Sequence, residues 1–173
     1  MPIQQITDTK LDIIGDIHGE IEALTDLLHH LGYDNDGTHP EHRKLVFVGD
    51  LVDRGKNSWK VYKKVRHLIE ANNAYCILGN HELNLLIPDP KFNDGRPKVK
   101  PGNEWFHGRV EYVDKKDPTS IQPQYLLHTK EEQHELQEFL RPLPLVIEAP
   151  GIRIVHSCWD NKAIHTIRTN SLD

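Results

Sequence analysis

The chain has 173 residues and a mass of 20.0 kDa, enough for one domain that buries roughly 70% of its unfolded surface, so folding requires neither disulfides nor a structural metal. Its 26 acidic and 21 basic residues leave a net charge of −5, which argues against a polybasic partner of nucleic-acid polymers or anionic membranes but leaves room for a phosphorylated ligand held by metal and arginine. No apolar run approaches the ~20 residues of a membrane span, residues 1–10 lack the pattern of a signal peptide, and Cys76 and Cys158 are too few for a secreted disulfide framework, so a cytoplasmic location is expected.

In chain order, Leu11–Ile14 is a short apolar run that ends in Gly15-Asp16. Residues 19–31 then carry Ile21, Leu24, Leu27, Leu28 and Leu31 at helical spacing, and Gly32 stops that helix. A second buried strand over residues 45–48 ends in Gly49-Asp50, and Ser58–Glu70 is helical with Val61, Val65, Leu68 and Ile69 on one face. A third strand over 75–78 ends in Gly79-Asn80, and residues 81–87 begin another helix. Strands separated by helices of this size read as βαβ units with parallel pairing.

The pattern then breaks. Seven of the eleven prolines (Pro88, Pro90, Pro97, Pro101, Pro118, Pro123 and Pro142) fall in or just beyond an irregular stretch, and residues 88–128 read as a cap-like insertion within a single domain spanning 1–173. Within it, Trp105, Phe106, His107 and Arg109 are read either as the cap's own small core or as a surface for a base or peptide. A short helix over 129–140 follows, then a hairpin of residues 145–149 and Ile152–Val155 about Pro150-Gly151.

Three strands thus end in glycine followed by a metal-capable residue: Gly15-Asp16-Ile17-His18-Gly19, Gly49-Asp50-Leu51-Val52-Asp53-Arg54-Gly55 and Gly79-Asn80-His81-Glu82. Asp16 and Asp50 are 34 residues apart, Asp50 and Asn80 are 30, each about one βαβ repeat. Successive βα loops therefore bring these side chains to the C-terminal edge of one parallel sheet, where open α/β sheets hold ligands. His156, at the end of the hairpin, is a fourth candidate. Carboxylate, imidazole and amide donors without thiolate suit Mn²⁺, Fe or Zn²⁺ rather than a cysteine-type zinc site. Taken singly, each piece has a plain reading. Asp53-Arg54 is a surface ion pair, Asn80 a turn residue, Glu82 a charge at the positive end of its helix and His156 a satisfied strand-end histidine. Three motifs in order at this spacing outweigh those readings. A dinucleotide-binding fold is disfavoured, since no Gly-x-Gly-x-x-Gly follows the first strand.

These three motifs resemble the signature of the calcineurin-like metallophosphoesterases, and Arg54 and Glu82 point to the phosphoprotein-phosphatase branch, which includes bacterial diadenosine tetraphosphatases. Residues 139–160 are similar to bacterial members of that group. The resemblance implies an α/β sandwich of two mixed sheets flanked by helices. It also implies a two-metal centre with Mn²⁺ as the expected ion: Asp16 and His18 on the first metal, Asn80 and His156 on the second, and Asp50 bridging both. An activated hydroxide would attack phosphorus, Arg54 and Asn80 would bind the substrate's phosphoryl oxygens, and His81, oriented by Asp53, would protonate the leaving oxygen. The leading substrate expectation is a Ser/Thr phosphoprotein, with a dinucleoside polyphosphate or a catalytically impaired metal-binding module as alternatives. The family also supplies a later histidine in a Gly-His segment. No Gly-His follows His156, and His165 is the only later histidine, so the expectation is a chain lacking its last strands. Cys158 is expected to pack near the site.

Overall fold

The parallel pairing read from the strand–helix alternation is present. The computed structural model describes residues 2–87, 102–103, 105–107 and 129–170. Strands β2 (Leu11–Ile14), β3 (Lys44–Phe47) and β4 (Ala74–Cys76) form a parallel sheet in the order β2-β3-β4. A second sheet joins β1 (Ile3–Gln5), β5 (Val146–Ala149) and β6 (Ile152–Val155) in the order β1-β5-β6, with β1 parallel and β6 antiparallel to β5. The helices are α1 (Ile21–His30), α2 (Ser58–Glu70), α3 (Asn80–Leu86), α4 (Lys130–Leu140) and α5 (Asn161–Asn170).

Strand β3 organises the layers. As the central strand of a parallel sheet it is covered on both faces, and Leu45, Val46 and Phe47 are fully buried. Side chains alternate along it: Leu45 and Phe47 join the helices, whereas Val46 meets Ile6, Ile77, Ile147 and Ile154 between the two sheets. On the helical side, α2 presents Val61, Tyr62, Val65 and Leu68 to the core, and its start is capped by Asn57, whose side chain accepts the Lys60 N–H at 3.3 Å. Truncating such a residue, Leu68→Ala for example, costs about 2–5 kcal/mol.

Two elements were not read from the sequence. Strand β1 is three residues of mostly polar character, made a strand by pairing with β5, and α5 is a polar helix begun by Asp160, whose side chain accepts the Ala163 N–H at 2.7 Å. Among the described residues, no helix is long and apolar enough to cross a membrane. Most of the cap-like stretch 88–128, Arg109 included, lies outside the described residues. Trp105 and Phe106 are described, and the expectation for them needs correction. Both are buried (1% and 4% exposed) in the main helical-side core rather than in a separate cap core or at a surface. Their aromatic bulk finds its partners in a cluster the main sheet and helices already form. Cys158 is also corrected: it is exposed, not packed.

Candidate metal centre

The three βα loops meet through their backbones before any side chain is considered. The first and second are laced together by His18 N–H to Asp50 O (2.9 Å), Gly19 N–H to Leu51 O (2.8 Å) and Gly55 N–H to His18 O (2.7 Å). Gly49, at φ 91°, turns the chain out of β3 so tightly that an added Cβ would stand 2.2 Å from the Gly79 nitrogen. Gly79 is equally obligatory, since its Cβ would stand 2.3 Å from Asp50 Oδ1. Four of the candidate residues adopt left-handed backbones: His18 (φ 47°), Asp50 (50°), Asp53 (69°) and Arg54 (65°). Such conformations cost on the order of 1 kcal/mol each and are held by the surrounding hydrogen bonds.

Glu82 supplies several of those bonds. Fully buried, it accepts Asp50 N–H (2.8 Å) and Gly79 N–H (2.9 Å) on Oε2, and Leu51 N–H (2.8 Å) on Oε1. Burial pushes its pKa up, against the three backbone donors that favour the ionised form. The sequence reading gave Glu82 only a role at its helix's positive end. Its side chain instead ties the second and third loops together.

Around this frame the predicted side chains converge on Asp50, itself 4% exposed. Asp50 Oδ2 lies 3.7 Å from His18 Nε2 and 3.9 Å from His81 Nε2, and Oδ1 lies 3.5 Å from His156 Nε2. Asp16 lies 3.8 Å from His18 Nε2, and Asn80 Oδ1 lies 3.1 Å from His156 Nε2. Among the described residues two groups can hold a cation, His18–Asp50–His81 and Asp16–Asp50–His156, and Asp50 belongs to both.

The anchoring of the imidazole rings supports the fit. A backbone carbonyl can only accept, so His18 Nδ1–H donates to Val52 O (3.0 Å) and His156 Nδ1–H to Val48 O (2.8 Å). Each ring then turns Nε2 toward oxygens, His18 toward the Asp16 and Asp50 carboxylates and His156 toward Asn80 Oδ1 and Asp50. His18 Nε2 is buried and has no hydrogen-bond partner in the protein. A buried ring nitrogen left without a partner is unfavourable unless an ion satisfies it, and a carbonyl-anchored imidazole is the usual arrangement of a metal-ligating histidine. The donor set of imidazole, carboxylate and amide oxygen accordingly fits hard or borderline divalent ions.

His81 is anchored differently. Its Nδ1–H donates to Asp53 Oδ2 at 2.6 Å, while Asp53 Oδ1 accepts the Trp105 indole N–H, also at 2.6 Å. Asp53 is 1% exposed, and burial pushes its carboxyl pKa up while the bonds from Trp105 and His81 pull it back down. Ser58 Oγ takes the Asp53 N–H at 2.9 Å. Arg54, the next residue, is exposed. His165 is exposed on α5 and belongs to neither cation-holding group. The sequence reading missed the contributions of Glu82, Ser58 and Trp105. The Glu of the Gly-Asn-His-Glu motif was a signal for the first, but no local pattern marks the other two.

A two-sheet α/β fold whose βα loops gather carboxylates and imidazoles about one shared aspartate defines a metal-dependent hydrolase type of site. Residues 9–160 match the Calcineurin-like phosphoesterase family, and the chain belongs to that family. It is 52% identical over 75 residues to the asymmetrical bis(5'-nucleosyl)-tetraphosphatase PrpE of Oceanobacillus iheyensis, covering 42% of this chain and 30% of that protein. The PrpE of Anoxybacillus flavithermus is 40% identical over 146 residues, covering 82% of this chain and 57% of the relative. The chain thus spans between about a third and somewhat over half of the length of these curated relatives. A crystal structure assigned provisionally as a diadenosine tetraphosphatase is 25% identical, with a TM-score of 0.54 over 91% of this chain and 55% of that one. A cold-active protein-tyrosine phosphatase of a psychrophilic Shewanella, 19% identical with a TM-score of 0.57 over 96% of this chain and 47% of that one, shares the fold.

Proposed function

We propose that the chain hydrolyses dinucleoside polyphosphates, cleaving one phosphoanhydride bond at a two-metal site. The observation that supports this chemistry is the division of Asp50, with one oxygen toward His18 and the other toward His156, which puts one buried carboxylate in both groups able to hold a cation. The substrate class is supported by the names of the PrpE relatives, which displace the Ser/Thr phosphoprotein reading from first place.

Two divalent cations bound here supply the charge that makes a water acidic enough to attack phosphorus near neutral pH and that draws charge from the phosphoryl oxygens. Asp16 and His18 would hold one ion and Asn80 and His156 the other, with Asp50 shared, although by position Asp16 groups with His156 and His18 with His81. Mn²⁺ is the proposed ion on the strength of the oxygen and imidazole donors. Arg54 binds two phosphoryl oxygens through its planar donor fork, and Asn80 binds a third through its amide. His81 is the proton donor of this reading: Nδ1–H stays on Asp53 while a proton on Nε2 passes to the leaving phosphate oxygen. The buried Asp53 carboxylate fixes the orientation of that ring.

The test is to incubate the chain and its Asp50→Asn variant with Mn²⁺ and diadenosine tetraphosphate, resolving the nucleotides by anion exchange. Asymmetric cleavage is expected to give ATP and AMP with the parent chain only. Turnover of a phosphopeptide alone would restore the phosphoprotein reading, and Mn²⁺ binding without any turnover would establish a binding module.

A further inference from the structure

We infer that Trp105 is a positioning residue for His81, its indole N–H holding the Asp53 carboxylate in the plane from which the other oxygen receives the His81 Nδ1–H. The inference deepens the proposed function and rests on its reading of His81 as the proton donor.

The geometry has three parts. First, both oxygens of Asp53 are engaged at 2.6 Å by donors from different segments, Trp105 on Oδ1 and His81 on Oδ2. Second, the terminal torsion of an aspartate is soft and roughly two-fold, so one hydrogen bond does not define the carboxylate plane, whereas two bonds on opposite oxygens do. Third, the donor cannot move. Trp105 is 1% exposed, lies edge-to-face against Phe106 at 6.0 Å, and sits in a turn in which Asn103 O accepts the Phe106 N–H at 3.1 Å. The same turn covers Asp53, for a Cβ added at Gly102 would stand 3.9 Å from the Asp53 Cβ.

A buried indole N–H needs only one acceptor, and any backbone carbonyl would satisfy it. Here it is spent on the one buried carboxylate whose remaining oxygen orients His81. The consequence is a ring presented with Nε2 toward Asp50, 3.9 Å away, and turned edge-on to His18 at 4.7 Å between centroids. Without the indole bond the carboxylate rotates, Nδ1–H loses its fixed partner and Nε2 loses its aim.

The first readout needs neither metal nor turnover. Proton NMR of the metal-free chain should show a far-downfield, slowly exchanging imidazole proton, assigned to His81 Nδ1 by its loss in His81→Ala. It should vanish in Trp105→Phe and persist in Phe106→Leu, which loosens the same packing without removing the N–H. Replacing Trp105 by benzothienylalanine keeps the ring's bulk and deletes only the donor, so it decides the matter should Trp105→Phe fail to fold. Persistence of the resonance in the donor-deleted variant overturns the inference. The second readout is the leaving-group dependence of Mn²⁺-supported turnover. Donor deletion should lower kcat on phenyl phosphate on the order of ten-fold, with KM retained and little loss on p-nitrophenyl phosphate. Equal loss on both esters, matched by Phe106→Leu, overturns it. Equal loss on both esters in His81→Ala would instead remove the proton-donor reading, and the resonance would still decide whether Trp105 positions the ring.

Discussion

Glu82 and Asp50 are 32 residues apart in sequence, yet the buried carboxylate of one carries the backbone of the other at 2.8 Å. The same Glu82 carboxylate also holds Leu51 and Gly79, so it stitches the turn after β3 to the start of α3. Asp50 can therefore occupy a left-handed backbone and still turn one oxygen toward His18 and the other toward His156.

Removing that stitch should damage fold and site together. Glu82→Ala orphans three buried N–H groups, at about 1–3 kcal/mol for each group left without a partner. Chemical denaturation should show a loss of that order, and isothermal titration should show weaker Mn²⁺ binding. Full Mn²⁺ affinity in a folded Glu82→Ala chain would contradict the role given to Glu82.

The divided carboxylate makes a prediction about stoichiometry. Asp50→Asn removes the charge shared by both cation groups, so metal content after equilibration with Mn²⁺ should fall from two ions per chain to one or none. Two ions retained in the variant would end the bridging assignment.

Cation binding should also stabilise the folded chain, because the imidazoles of His18 and His156 converge on Asp50 only in the native state. At Mn²⁺ a hundred-fold above its dissociation constant the gain is about 2.7 kcal/mol for one site. Differential scanning calorimetry should show Tm rising with Mn²⁺ and returning on chelation. A Tm indifferent to Mn²⁺ would contradict a preformed centre.

Two glycines separate crowding from backbone strain. A Cβ at Gly79 would stand 2.3 Å from Asp50 Oδ1, whereas at Gly151 nothing lies within 4 Å and only the φ of 77° resists substitution. Gly79→Ala should cost about 1–3 kcal/mol and reduce metal binding at least ten-fold. Gly151→Ala should cost about 1–2 kcal/mol and leave metal binding intact. Parallel melts and Mn²⁺ titrations of the two variants check the contrast.

A pH effect is expected away from the centre. Arg43 holds Asp12 with hydrogen bonds to both carboxylate oxygens, with Tyr33 O–H adding a third at 2.7 Å, and the Asp12 pKa is lowered chiefly by Arg43. A carboxyl whose folded pKa lies below its unfolded value stabilises fully above the unfolded pKa, about 4, and loses that contribution as pH falls through the folded one. Asp12→Asn should therefore melt below the parent at neutral pH, with the gap closing as the solution is acidified below pH 4. A gap constant with pH would rule out the linkage.

Much of the fold was legible locally. Helix α2 was read to the residue from its apolar spacing, and the strands that precede the three glycine turns were placed within a residue or two. Local signals sufficed because helix period, strand alternation and turn chemistry are properties of adjacent residues. Strand β1 escaped because Ile3–Gln5 is extended only by virtue of β5, some 140 residues later. Likewise, motif spacing put Asp16, His18, Asp50 and Asn80 at one sheet edge, since each follows a strand or begins a helix whose direction the sheet dictates, while His156 joined them through the resemblance to the metallophosphoesterases.

Neighbouring residues alone therefore set the alternation of elements, the edge at which the polar residues would gather and the chemical type of the donors. Tertiary structure alone decided which oxygen of Asp50 faces which histidine, that Glu82 is a buried tie, and that Trp105 leaves the irregular stretch to meet Asp53. The division is physical. Periodicity and turn chemistry act between neighbours along the chain, while hydrogen-bond partnership across 31 or 52 residues depends on where packing of the whole core brings two groups to rest.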